Sequence, residues 1–425
     1  MTWETHYQAS TRFFNQHQPG KKAGLFPMFK IKLRPLAHVV IFCLPLAIYL
    51  YKYSLHAIGA DLLWRITEAK YFLARINPYD VFTGVIPVIS EYGAKPAIYS
   101  FFSYFLAGFL TTIAAVDQLQ IFIFICIDFG GLVAGIVLIN RLIPSVVAGP
   151  WWQPQTNVQN RTLMLILAQS TYFWQHAYFL NYTLLSVLGL LLVLYSLAKR
   201  SLLTALIGMS LVGLRPSLAI PVFIFLVVGQ QWKLLTWSTL VYGLVLLTSA
   251  LWLRTSPISL LQQLSEVQRY FSENLSYHHA EGVLLFLTPY LGPYMTPLST
   301  LVTFLIMVHY RADLANPVVS LLLVTSCSVS LFYTQVHAWI SIYPILLVAL
   351  IDRAANSNLR LVVPILIGFL ILPRLSGYFA EEFRYQYLVV QNLVRFGALW
   401  YCVIRLVNQT ISSKYDSLPA HHASV

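Results

Sequence analysis

The chain has 425 residues, 58% of them hydrophobic and only 10% charged, with a mean hydropathy of +0.69 and a net charge of +12. Soluble domains carry about 25% charged residues, so the composition excludes a soluble globular enzyme and implies an all-α protein that crosses a membrane many times. No polar run is long enough to fold by itself, and the positive charge reads as basic loops facing cytoplasm and anionic lipid, not as a nucleic-acid footprint.

Residues 1–35 are polar and end in the basic cluster Lys21, Lys22, Lys30, Lys32 and Arg34. This segment is expected to be cytoplasmic and to lack a secretory signal, because the apolar run after it is too long for a signal core. Crossing a bilayer takes roughly 20 mainly apolar residues. Candidate spans lie near 36–56, 97–116, 119–142, 161–180, 181–198, 201–214, 217–230, 234–253, 283–308, 314–334, 338–351, 359–373 and 386–408. If every one of them crossed, the N-terminus and the basic turns at Lys199/Arg200, Lys233, Arg311 and Arg353/Arg360 would face opposite sides, against the positive-inside tendency. Taking 97–116 as an aromatic, interfacial helix on the outer face removes the conflict. About twelve spans then remain, over residues 36–408, with both termini and the tail 409–425 cytoplasmic. The long loops 57–118 and 254–282, and a shorter one near 374–385, face outward. Cys43, Cys126, Cys327 and Cys402 lie in apolar stretches without CxxC or Cys/His spacing, which argues against a disulfide framework or a metal centre.

In the first outer loop, Leu62, Arg65/Ile66, Ala69 and Phe72/Leu73 recur at helical spacing. The pattern predicts an amphipathic helix over 61–74 lying on the membrane, with Asp61 at its N-terminal end, where the helix dipole favours a carboxylate. Two readings of Asp61 stay open on spacing alone: a helix cap paired with Arg65 at i+4, or a proton acceptor for a substrate that lives in the bilayer. Asn77-Pro78-Tyr79-Asp80 reads as a turn.

Four segments in order carry a resemblance. They are Asp61 with Asn77-Pro78-Tyr79-Asp80, Tyr92-Gly93-Ala94-Lys95-Pro96 before an aromatic helix, Phe179-Leu180-Asn181-Tyr182-Thr183-Leu184-Leu185, and Leu214-Arg215-Pro216-Ser217-Leu218-Ala219. Together they resemble glycosyltransferase family 87 of the GT-C superfamily, whose members include polyprenol-phosphate-mannose-dependent mannosyltransferases. The likeness covers roughly residues 36–350. The chain departs from the family at Lys95-Pro96-Ala97, where Tyr-Pro-Pro is usual, and at Gln335-Val336-His337-Ala338-Trp339, where a Tyr-Asp element is usual. The resemblance implies a GT-C-type fold with outer juxtamembrane helices, Asp61 as the catalytic base, and 97–116 as one of those juxtamembrane helices. Asn181 falls within one of the matching segments and is a candidate substrate contact; Gln335 and His337 open a short helix where the late polar element is usual, and read either as substrate contacts or as core packing.

Arg215 falls at an outer helix end, against the positive-inside tendency, and Arg254 and Arg269 lie in the second outer loop. Guanidinium groups recognise phosphate bidentately, so Arg215, Arg254, Arg269 and, from the first loop, Arg65 are candidates for a donor phosphate. Snorkelling or ion pairs with Glu266 or Glu273 are the plain alternatives. His278-His279 with Glu281 lack further ligands at metal spacing and read as solvated loop, as do His421-His422. Asp128, in an apolar run, reads first as a bond to a neighbouring helix.

The expected activity is inverting transfer of a hexose or pentose, mannose being one option, from a polyprenyl-phosphate donor to a lipid-linked or cell-envelope glycan on the outer face of the plasma (inner) membrane. No metal or other cofactor is expected, and no nucleic-acid partner. The alternatives are a secondary transporter, a ligase or polymerase using lipid-diphosphate glycans, and a non-catalytic envelope-assembly subunit.

Overall fold

The computed structural model describes residues 60–92, 101–114, 116–142, 156–274, 280–281, 294–332, 334–356, 363–364, 366–368, 372 and 381–416. The apolar stretch 36–56, most of 359–373, the basic N-terminal segment and His278-His279 lie outside them. The described chain opens with α1 (Ala60–Leu73), the short α2 (Pro78–Thr83), a 3-10 turn (Ser90–Tyr92) and α3 (Phe101–Ile113). Then come α4 (Asp117–Leu142), α5 (Thr156–Gln169), α6 (Thr171–Phe179), α7 (Thr183–Lys199), α8 (Leu202–Val212), α9 (Pro216–Val228), α10 (Trp232–Trp252) and α11 (Pro257–Asn274). The remainder is α12 (Met295–His309), α13 (Pro317–Leu331), a 3-10 helix (Val336–Ile342), α14 (Tyr343–Asn356) and α15 (Glu381–Asp416). Among the described residues the only sheet is a two-residue antiparallel ladder of β1 (Ala280–Glu281) and β2 (Thr334–Gln335), pairing Glu281 with Thr334.

Among the described residues, α4, α10 and Gln386–Ser412 of α15 are long and apolar enough to cross a membrane, and the other apolar helices have 10–17 residues. α10 shows the pattern of a lipid-facing helix. It buries Leu234, Ser238, Ser249 and Ala250 while Trp237, Leu240, Leu244, Leu247 and Leu251 stand exposed. An exposed apolar stripe of that length is unfavourable in water and favourable in hydrocarbon. The fold is that of a helical membrane protein.

α13 is the opposite case, buried on every side from Val318 to Ser330. Two of its hydroxyls are satisfied inside their own helix, Ser326 Oγ donating to Leu322 O at 2.6 Å and Ser330 Oγ to Ser326 O at 2.6 Å. That is how a polar residue is carried in an apolar interior. α7 and α8 cross at two glycines: a Cβ on Gly189 would meet Gly208 O at 2.6 Å, and one on Gly208 would meet Gly189 O at 2.7 Å. Only glycine permits this approach.

Two sequence expectations are corrected. The stretch 161–180 is not one continuous helix. It breaks at Ser170, whose side chain caps α6 by accepting from Tyr172 N at 3.2 Å. The Asn77-Pro78-Tyr79-Asp80 turn is a helix start: Asn77 Oδ1 accepts from Tyr79 N at 3.1 Å, and Pro78 takes the first helical position, where no N–H is required.

Candidate functional site

α1 places Asp61, Arg65 and Glu68 on one stripe, at spacings of four and three residues. A helix resting on a membrane surface would show these charges to water. Here they are 3%, 2% and 0% exposed, and the exposed positions are Trp64 and Leu73. The surface-lying amphipathic helix is therefore corrected: Leu62, Ile66, Ala69 and Phe72 are buried as well, so α1 is enclosed on most of its circumference. α3 covers it along its length, with Phe72 stacking at 5.2 Å on Tyr104 and Leu62 and Ile66 sharing a core cluster with Leu110.

Arg65 Nη1 donates to Glu68 Oε1 at 2.9 Å. Beyond that pair, Tyr79 and Tyr104 lie close together and are buried, and burial pushes both hydroxyls up, so they remain neutral. Asp61 lies in the first helical turn and interacts electrostatically with Arg65, His176 and Arg215. The helix dipole was expected to keep it readily ionised. Burial outweighs that effect and pushes its carboxyl up, with Arg65, His176 and Arg215 opposing. A carboxylate held this way binds a proton more strongly than a solvated one.

Arg215 reaches the same neighbourhood from the middle of the chain. Pro216 opens α9, and the residue before a proline is steered away from helical angles, so Arg215 is extended at φ −130°, ψ 107°. Its Nη1 donates to Thr183 Oγ1 at 2.8 Å. Asn181 organises this contact: its Oδ1 accepts from Thr183 N at 3.0 Å and from Thr183 Oγ1 at 2.5 Å. Arg215 therefore stands half-buried beside the N-terminus of a 13-residue helix, where the dipole also favours an anion.

Behind Asp61 lies a pair that the sequence reading left unassembled. His176 Nε2 lies 2.5 Å from Asp128 Oδ2, and both side chains are fully buried. Asp128 had been read as a bond to a neighbouring helix, and His176 in α6 supplies it. His176 went unnoticed because a histidine among Tyr172, Phe173 and Trp174 reads as one more ring in an apolar run. The available signal was that an acid in such a run requires a polar partner.

The other sequence candidates separate. Arg254 is exposed at the end of α10 with φ 54° and is not among the charges acting on Asp61. Gln335 belongs to the β1–β2 ladder and His337 to the 3-10 helix. That 3-10 helix packs on α6, with Trp339 stacked at 6.1 Å on Tyr172. α2 and its cap are tied to α11 through Gln263, which accepts from Asn77 Nδ2 at 2.9 Å and donates to Asp80 Oδ1 at 2.9 Å. Among the described residues no group of three potential ligands is placed to hold a metal ion.

Fold and site together define a helical membrane protein with a buried, mixed-charge cluster assembled from α1, α4, α6 and the starts of α7 and α9. Comparison with known proteins gives no match to a family model, to a curated protein or to a solved structure.

Proposed function

We propose that the chain is an integral-membrane, inverting glycosyltransferase of the GT-C type, moving a sugar from a polyprenyl-phosphate donor to a lipid-linked or envelope glycan. One observation carries the reading: Asp61 and Arg215, far apart in sequence, share one electrostatic environment. The reaction requires that pairing, a base near the acceptor hydroxyl and a cation near the leaving phosphate. Asp61 removes the hydroxyl proton as the oxygen attacks the anomeric carbon from the face opposite the phosphate. The bond from that carbon to the phosphate oxygen breaks, and charge developing on the phosphate is stabilised by Arg215 and the N-terminus of α9. Arg65 already holds Glu68, so it tunes Asp61 more readily than it binds donor. Asn181 holds Thr183 for Arg215, while the segment with Gln335 and His337 borders α6 and serves the acceptor side.

The test is incubation of the purified full chain with radiolabelled polyprenyl-phosphate sugars and a membrane lipid extract, followed by a search for labelled product. Arg215→Gln is expected to weaken donor binding by the value of one charge-assisted hydrogen bond, about 1.5–3 kcal/mol. It should also move the acid limb of the pH–rate profile to higher pH, because a positive charge that lowers the Asp61 pKa is lost. Unchanged donor affinity in the folded variant would remove Arg215 from the phosphate site.

A proton-coupled secondary transporter is the second reading, favoured by one feature. Asp128 and His176 pair deep in the protein, with Asp128 midway along the 26-residue α4. Ionisable pairs at such depth mark proton pathways in transporters. Uptake of a solute driven by a proton gradient, with no labelled glycan formed, would select it.

A further inference from the structure

The His176–Asp128 pair has no part in the reaction as written above, yet its chemistry is unfinished. With Nε2 engaged by the Asp128 carboxylate, the second ring nitrogen of His176, Nδ1, is buried and has no hydrogen-bond partner among the described residues. In a neutral imidazole whose N–H donates to a carboxylate, the other nitrogen carries a lone pair ready for a proton. Leaving such an atom empty in an apolar interior costs free energy, and native structures rarely do so without a reason. The pair also sits beside the base. α6 packs on α1, and Leu62 and Ile66 of α1 share a core cluster with Phe124, one turn before Asp128, and with Leu180, one turn after His176.

We infer that His176, oriented by Asp128, is the proton partner of Asp61, receiving the proton that Asp61 takes from the acceptor hydroxyl and restoring the carboxylate. The inference rests on the transferase reading for the origin of that proton. In the transfer, the O–H bond of protonated Asp61 breaks and an N–H bond forms on His176. The resulting imidazolium is balanced by the Asp128 carboxylate, and the proton leaves to water when product departs. Around this unit stand Arg65 and Glu68 of α1, Tyr79 of α2, Tyr104 of α3, Arg215 before α9 and Tyr343 of α14. A purely structural role would instead have the pair pin α6 to α4 and leave Asp61 indifferent to it.

The experiment follows the protonated-carboxyl band of Asp61 by difference infrared spectroscopy on the full chain in lipid nanodiscs, the band being assigned by its loss in Asp61→Asn. His176→Gln keeps a polar side chain but removes the titrating ring, and it is expected to shift the Asp61 midpoint to higher pH. In the transfer assay it should lower kcat on the order of 10²-fold with KM little changed, and added imidazole should restore part of the rate. If His176→Gln fails to fold, the reciprocal measurement serves: in Asp61→Asn, the His176 ring-nitrogen resonance in the histidine-labelled protein must titrate differently from wild type, because coupling is mutual. An Asp61 midpoint identical in wild type and His176→Gln overturns the inference. So does a His176 titration untouched by Asp61→Asn. A shifted midpoint in a protein that transfers no sugar supports the proton pairing and refutes the transferase reading.

Discussion

Asp61 is held between two opposed demands. Burial makes its ionised form costly, while Arg65, Arg215 and His176 make the neutral form less favourable, and the net effect is a raised pKa. The folded state therefore binds the Asp61 proton more tightly than the unfolded chain does. Its contribution to stability is present below the ordinary aspartate pKa and is lost as pH rises through the folded value. Asp61→Asn has no proton to lose, so at neutral pH it is expected to melt no lower than wild type, and the difference should close as pH falls below the ordinary aspartate range. Transfer by the same variant is expected to fall at least about 10²-fold, because an amide cannot accept the proton. A variant less stable than wild type at neutral pH would mean that the carboxylate serves the fold. Asp61 and Arg215 were legible in the sequence because a charge in so apolar a chain is conspicuous. His176 was not, and neither was the burial of Glu68 beside Arg65, because composition shows which residues are polar but not which of them meet.

At the level of elements, most described helices coincide with the apolar stretches, since 3.6-residue periodicity and length are local properties. What failed was local reading where tertiary contact decides. α1 has the stripe of a surface helix, yet α3 packs on Leu62, Ile66 and Phe72 and the charged residues Asp61, Arg65 and Glu68 are buried too. The break at Ser170 depends on one hydroxyl cap, and Asn77-Pro78 begins a helix only because the turn after it packs Tyr79 and Phe82 into an aromatic cluster with Phe101 and Tyr104. Gln263 of α11 is the device that no local pattern reveals. Its two hydrogen bonds clamp α2 and its cap to α11. Gln263→Leu keeps a similar shape and leaves Asn77 and Asp80 without that partner. Losing the two bonds is expected to cost about 1–3 kcal/mol locally. Hydrogen exchange should then rise in residues 74–84 with little change in α7 or α13. Uniform exchange across the protein would show that the clamp is not a local lock.

For the whole molecule, the side of the membrane that each loop faces turns on α3. Its 13 residues make a helix of about 20 Å, short of the ~30 Å hydrocarbon core. Several helices read as spans are equally short, so length does not single α3 out. Its neighbours do. α3 lies along α1, a helix bearing Asp61, Arg65, Glu68 and Lys70, and such a helix is a poor candidate to cross lipid. Lys70 Nζ also comes within 3.9 Å of Asp117 Oδ1, beyond the far end of α3. One charged helix thus reaches the first turn of α4 as well as the start of α3, where Phe72 packs at a tilt on Tyr104 and edge-on against Phe105. If α3 stays on the outer side with α1, positions before and after it face the same compartment. In a protein with Cys43, Cys126, Cys327 and Cys402 replaced by serine, Glu91→Cys and Gln118→Cys are each expected to react with a membrane-impermeant thiol reagent added from outside. Gln155→Cys, outside the described residues and in a segment read as cytoplasmic, should react only after the membrane is opened. Labelling of Gln118→Cys from the cytoplasmic side alone would make 97–116 a true span. It would also place the ends of that segment in different compartments and leave the basic turns on the wrong side of the twelve-span arrangement.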